Sequence, residues 1–147
     1  GLIVSRLLSG KRVDKGFITQ TISLGIVIAL MGVVGEAMLS LVCGFSMSMG
    51  YALYFLSAFL IGYGFGTIFP AFNTLFINMA PNSRRATANA TYLTGWDVGI
   101  GAGMLLGGAL STGGYSGSFT FGAILVLAAY IYFRVYVSKH FERHRLR

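Results

Sequence analysis

Charge is scarce in this 147-residue sequence: Asp, Glu, Lys and Arg make up 10% of it, and only four of these are acids. Soluble domains carry roughly 25% charged residues, and a core of this length cannot hide a chain that is 55% hydrophobic. The single cysteine, Cys43, allows no internal disulfide and has no neighbours at metal-ligand spacing. No Ser/His/Asp set, metal-ligand cluster or phosphate-cradling loop is present, so the sequence gives no catalytic residue, no metal, no cofactor and no enzyme. What it has instead is apolar runs of about 20 residues or more. The expected fold class is an all-α membrane protein, a polytopic helix bundle with lipid as its main surroundings. The net charge of +7 does not point to nucleic acid, because the bases are not interleaved with aromatics on a polar face.

Residues 1–9 (GLIVSRLLS) read as the last turns of a spanning helix, followed by the polar loop GKRVDKGF. The chain starts without a methionine and inside an apolar stretch, so it reads as a fragment of a longer protein. Four complete spans follow, over residues 18–42, 51–79, 86–110 and 119–137. The second is long, which predicts tilt, a kink at Pro70 or an extension beyond the bilayer. Ala80-Pro81-Asn82-Ser83 ends it. Residues 138–147 form a basic tail.

The alternation of spans sorts the loops onto two sides. Arg6, Lys11, Arg12 and Lys15 flank the first loop, Arg84 and Arg85 the third, and Arg134, Lys139, Arg143, Arg145 and Arg147 the last end. All eleven Lys and Arg therefore share one side, while the loops CGFSMSMG and STGGYSGS on the other are uncharged. The positive-inside rule makes the basic side cytoplasmic, C-terminus included, and implies a cell (inner) membrane. His140 and His144 in that tail read as solvated. The sequon Asn89-Ala90-Thr91 falls just past a cytoplasmic loop and is set aside.

At 100° per residue, Tyr63, Thr67, Pro70, Thr74 and Asn78 fall within about 80° on the second span, with Asn73 and Gly66 beside them. Such a polar stripe faces a water-filled cavity or a partner helix rather than hydrocarbon. Tyr63, Thr67, Asn73 and Thr74 are the candidate cavity residues; the plainer reading is interhelical hydrogen bonding. The third span carries Gly95, Gly99, Gly103 and Gly107 at four-residue spacing, with Asp97 about 160–200° round from the first two. Glycine on both faces predicts packing on both sides. Asp97 is the candidate for proton coupling, because a carboxylate at that depth costs about 2.5–3.5 kcal/mol on insertion scales and burial favours its protonated form; a structural hydrogen bond is the alternative. Glu36, near the outer end of its span, and Trp96, read as packing, are weaker candidates.

Three stretches resemble the major facilitator superfamily. Gly10-Lys-Arg-Val-Asp14-Lys15-Gly16 is similar to the loop motif G-x-x-x-D-[RK]-x-G, here without the spacer before Gly16. The stretch PNSRRATANATY from Pro81 to Tyr92 is similar to P-x-x-R-R-G-x-A-x-A-T-Y, with Ala86 in place of glycine. Asp97-Val-Gly99-Ile-Gly101 is similar to the D-x-G-x-G start of the following segment. The resemblance covers essentially the whole chain and lies nearest the drug and sugar efflux branch. It implies the carboxy-terminal half, from the end of helix 8 to helix 12, with residues 51–79 on the central cavity and residues 86–110 at the interface with a missing amino-terminal half. It also implies a cytoplasmic gate at Gly10, Asp14, Lys15, Arg84 and Arg85. The function expected is secondary active transport of a small molecule, proton-coupled efflux by alternating access. A nutrient or sugar importer of the same superfamily, or a non-transporting membrane-embedded structural module, is the alternative.

Overall fold

The computed structural model describes Ile3, Ser5 and residues 16–144. These form an all-α bundle with no strand among the described residues. Helix α1 (Ile18–Ala37) follows Gly16, whose φ of +85° suits glycine and turns the chain into the helix. The Thr21 hydroxyl donates to the Phe17 carbonyl at 2.7 Å, supporting the first turn. A short helix α2 (Leu39–Phe45) comes next, then the long α3 (Met47–Met79). After a 3₁₀ turn, α4 runs over Arg85–Leu110 and α5 over Tyr115–Tyr132. A π-helical turn, Phe133–Val137, joins α5 to α6 (Ser138–His144).

The span expected over 18–42 is divided in the structure. At Met38 the N–H still reaches the Val34 carbonyl (3.0 Å), but the Leu41 N–H turns to Met38 itself (3.1 Å), a tighter i to i−3 bond. Helix α2 then folds back on α3, where Gly50 leaves room for Cys43. Extended backbone at Ser46 (φ −158°) starts α3 four residues before the expected boundary. At 33 residues, α3 is about 50 Å long, more than a bilayer core of about 30 Å needs. It continues unbroken as helix through Pro70. The last helical rod also begins early, at Tyr115, behind Gly114 with φ +114°. It remains helical to His144, so the expected tail is helix as far as the structure describes it.

The core lies between α1 and α3. Ile18, Ile22, Ile26 and Ala29 meet Ile68, Ala71 and Leu75, and Phe133 and Phe141 close it from the C-terminal rod. Two hydrogen bonds fix the ends of the bundle. Thr19 at the start of α1 reaches Glu142 of α6 at 3.5 Å, while the Ser116 hydroxyl in the first turn of α5 donates to the Ala37 carbonyl at the end of α1 at 2.9 Å. Arg84, Arg85, Lys139 and Arg143 therefore sit at one end of the bundle. Among the described residues four helices are long and apolar enough to cross a membrane: Ile18–Ala37, Met47–Met79, Asn82–Leu110 and Tyr115–His144. Their outward faces carry side chains such as Phe55, Leu105 and Ile124, as lipid contact requires.

Candidate functional site

Helix α3 has three flanks. The first packs on α1 so closely that two backbones nearly touch. A Cβ added to Gly64 would lie 2.7 Å from the Ala29 nitrogen and 2.8 Å from the Gly25 carbonyl oxygen, and one added to Gly32 would lie 2.8 Å from the Ser57 carbonyl. The small-residue contact of this chain is thus made by Gly25, Gly32 and Gly64. By contrast, Cβ atoms added to Gly95, Gly99, Gly103 or Gly107 would meet no described atom within 4 Å. The expected packing on both faces of α4 is not found among the described residues. Of α4's residues only Tyr92 is buried. The regular glycine spacing shows that a helix can be approached closely, not that its own chain does so.

The second flank of α3 is aromatic and holds α4. Trp96 lies edge-on to Phe65 (centroids 6.0 Å) and Phe69 (5.1 Å), and Tyr92 packs between Phe69 (5.5 Å) and Phe76 (5.7 Å). The Tyr92 hydroxyl donates to the Phe69 carbonyl at 2.9 Å. That carbonyl belongs to the residue before Pro70, whose missing N–H removes the helical bond to the Gly66 carbonyl four residues back. Sequence reasoning read Trp96 as packing but did not assign Tyr92 this bond. Its place at the end of PNSRRATANATY, facing an aromatic-rich helix, was the available signal.

The third flank bears most of the polar stripe. Tyr63, Pro70, Asn73 and Thr74 are half-buried, between the flank packed on α1 and the flank packed on α4. The Thr74 hydroxyl donates to the Pro70 carbonyl at 3.0 Å, and the Tyr63 ring lies 6.3 Å from that of Phe59. The Asn73 Oδ1 is buried with no hydrogen-bond partner among the described residues, an arrangement native interiors rarely keep. Thr67 departs from the expectation. It is 3% exposed, its Cβ would lie 3.3 Å from one added to Gly25, and its hydroxyl donates to Tyr63 at 3.0 Å. Helix α1 covers that edge of the stripe, so Thr67 belongs to the α1–α3 seam.

Asp97 is exposed, on a part of α4 that contacts little of the chain. It is not brought together with Tyr63, Asn73 or Thr74 by any hydrogen bond among the described residues. Glu36 is 8% exposed, near the end of α1 away from the bases. Arg84 is exposed, while Arg85 is half-buried and its Nε is buried without a partner among the described residues. Gly10, Asp14 and Lys15 lie outside the described residues.

Four apolar helices, a polar flank on the longest and bases gathered at one end define a polytopic membrane protein. A family model described as Major Facilitator Superfamily matches residues 1–146. The chain belongs to that superfamily of secondary transporters. Comparison with curated proteins gives no match, and comparison with solved structures gives none either.

Proposed function

We infer that this chain is the carboxy-terminal half, helix 8 onward, of a proton-coupled exporter of small molecules in the drug and sugar efflux branch. The observation that carries this reading is the third flank of α3. An Asn73 oxygen buried without a partner among the described residues, on the same flank as Tyr63 and Thr74, calls for a donor, and a substrate in a central cavity supplies one. Helix α4 supports the reading from the other side. Cβ atoms on its glycines would meet no described atom within 4 Å, as expected of a helix that packs against a missing amino-terminal half. Asp97 on the same helix takes and releases the coupled proton. Arg84 and Arg85, with Gly10, Asp14 and Lys15, form a gate on the basic side, which faces the cytoplasm with the C-terminus under the positive-inside rule. Alternating access then rocks one half against the other around the substrate.

The test is flux through the complete transporter in vesicles, with and without a proton gradient. Asp97→Asn should abolish the gradient-driven component while leaving expression and membrane insertion intact. Unchanged gradient-driven transport would remove Asp97 from the coupling step. Accumulation in the direction opposite to efflux would make the protein an importer.

A further inference from the structure

A groove of about 650 Å³ opens at the basic end of the bundle, between the last turns of α3 and the rod formed by the π turn and α6. Sites for whole organic molecules span about 300–1,000 Å³, so it exceeds what an ion or a few waters need. Both walls run toward the basic end, and their chemistry changes along the way. Phe72 and Phe76 of α3 are apolar, Tyr132 and Tyr136 stack on each other (5.4 Å, 30°), and Lys139 and Arg143 follow on α6. From Tyr132 to Lys139 is about 10 Å along a helix axis. The inner wall is rigid, because Phe133, 2% exposed, meets Phe72 edge-on at 5.4 Å. Tyr136 lies within the π turn, a form that recurs at functional sites, and Tyr132 immediately precedes it. Glu142, the acid of α6, points to Thr19 instead and does not line the groove.

A wall of phenyl and tyrosine rings that leads to two bases matches one molecule that every bilayer contains, from acyl chain through ester region to phosphate. The geometry points to a binding groove for a single anionic phospholipid. Its acyl chain lies along Phe72 and Tyr132, its glycerol region beside Phe76 and Tyr136, and its phosphate between Lys139 and Arg143. Tyrosines of amphipathic character favour the headgroup level, and basic pockets between spanning helices bind anionic headgroups. Long Lys and Arg stems extend along apolar surface while their charged ends reach the phosphate. The site requires only that the helices be embedded, and is independent of substrate, direction and coupling.

Native mass spectrometry of the detergent-purified protein, titrated with phosphatidylglycerol or with phosphatidylcholine of the same acyl chains, tests this. The unaltered protein should retain one phosphatidylglycerol in preference to phosphatidylcholine. Lys139→Gln and Arg143→Gln should each lower that retention about fivefold, the worth of one base near an anionic surface. Arg134→Gln removes the same charge nearby but lies off the groove, and should change retention less than twofold. Equal retention of the two lipids, or no bound lipid because a protein segment fills the groove, would overturn the proposal. So would a loss in Arg134→Gln as large as in Lys139→Gln, since that is diffuse attraction to a charged surface. The lipid comparison uses the unaltered protein and stands whatever the variants do.

Discussion

Replacing Gly64 by alanine inserts one methyl group where α1 and α3 are closest. The new Cβ would stand 2.7 Å from both the Ala29 nitrogen and the Ala29 Cβ, and 2.8 Å from the Gly25 oxygen. Two of those three atoms are helix backbone, which cannot rotate away as a side-chain tip can, so the helices must separate. Overpacking of this kind costs about 1–3 kcal/mol, and separation also loosens the Ile22, Ile68 and Leu75 contacts beside it. Against this, alanine in a helix interior gains about 0.5–1 kcal/mol over glycine. The net expectation is a loss of about 1–2 kcal/mol. Gly99→Ala is the matched control, since its Cβ meets no described atom within 4 Å; in this 147-residue chain it should be neutral or stabilising by up to about 1 kcal/mol. Reversible unfolding in mixed micelles, followed by Trp96 fluorescence, reads both. Gly64→Ala at wild-type stability, or Gly99→Ala equally damaging in this chain, would refute the assignment of the tight seam to α1 and α3.

Tyr92→Phe keeps the ring among Phe69, Phe76 and Trp96 and removes only the bond to the Phe69 carbonyl, so unfolding should show a loss of about 0.5–1.5 kcal/mol; no change would mean that bond is not formed in the bilayer. Asn73→Leu removes a buried oxygen that has no described partner, so stability should hold or rise by about 1 kcal/mol while substrate flux in the complete transporter falls; flux at wild-type level would take Asn73 out of the cavity. Thr67→Val retains the seam's shape and should leave flux unchanged, whereas Thr74→Val on the open flank should reduce it, and the reverse order in the same flux assay would return Thr67 to the cavity.

The spans were legible because lipid leaves few alternatives: runs this apolar must satisfy their own backbone hydrogen bonds, and helices do so. The break after Ala37 was not legible, since GEAMLSLV contains no proline and no charge beyond Glu36. It arises from the fold-back of Leu39–Phe45 onto Gly50, a tertiary contact. The π turn at Phe133–Val137 was hidden for the same reason, because FRVYV has ordinary helical composition and takes its register from Phe72 and the core. The wheel placed Thr67 beside Tyr63 correctly in angle, but angle does not say which neighbour covers a residue. Helix α1 covers one edge of the stripe and leaves Asn73 and Thr74 on the other.

The two sets of glycines show where the same limit acts on function. Gly25 and Gly32, seven residues apart, lie where α1 meets α3 tightly: a Cβ on Gly32 would stand 2.8 Å from the Ser57 carbonyl oxygen, and one on Gly64 would stand 2.8 Å from the Gly25 carbonyl oxygen. Gly95 to Gly107 looked like the packing signal, yet Cβ atoms on them would meet no described atom within 4 Å. Helix α1 and α3 build a core from their own isoleucines and leucines, while α4 is held by one aromatic flank and exposes a carboxylate besides its glycines. A helix left with Asp97 toward hydrocarbon would bear about 2.5–3.5 kcal/mol on insertion scales, and a bare glycine face loses the side-chain contacts that hold helices together in lipid. Both disadvantages fall on the one helix that carries the proton-coupling candidate, and because Asp97 lies about 160–200° round from Gly95 and Gly99, relieving both takes helical surface on both sides of α4.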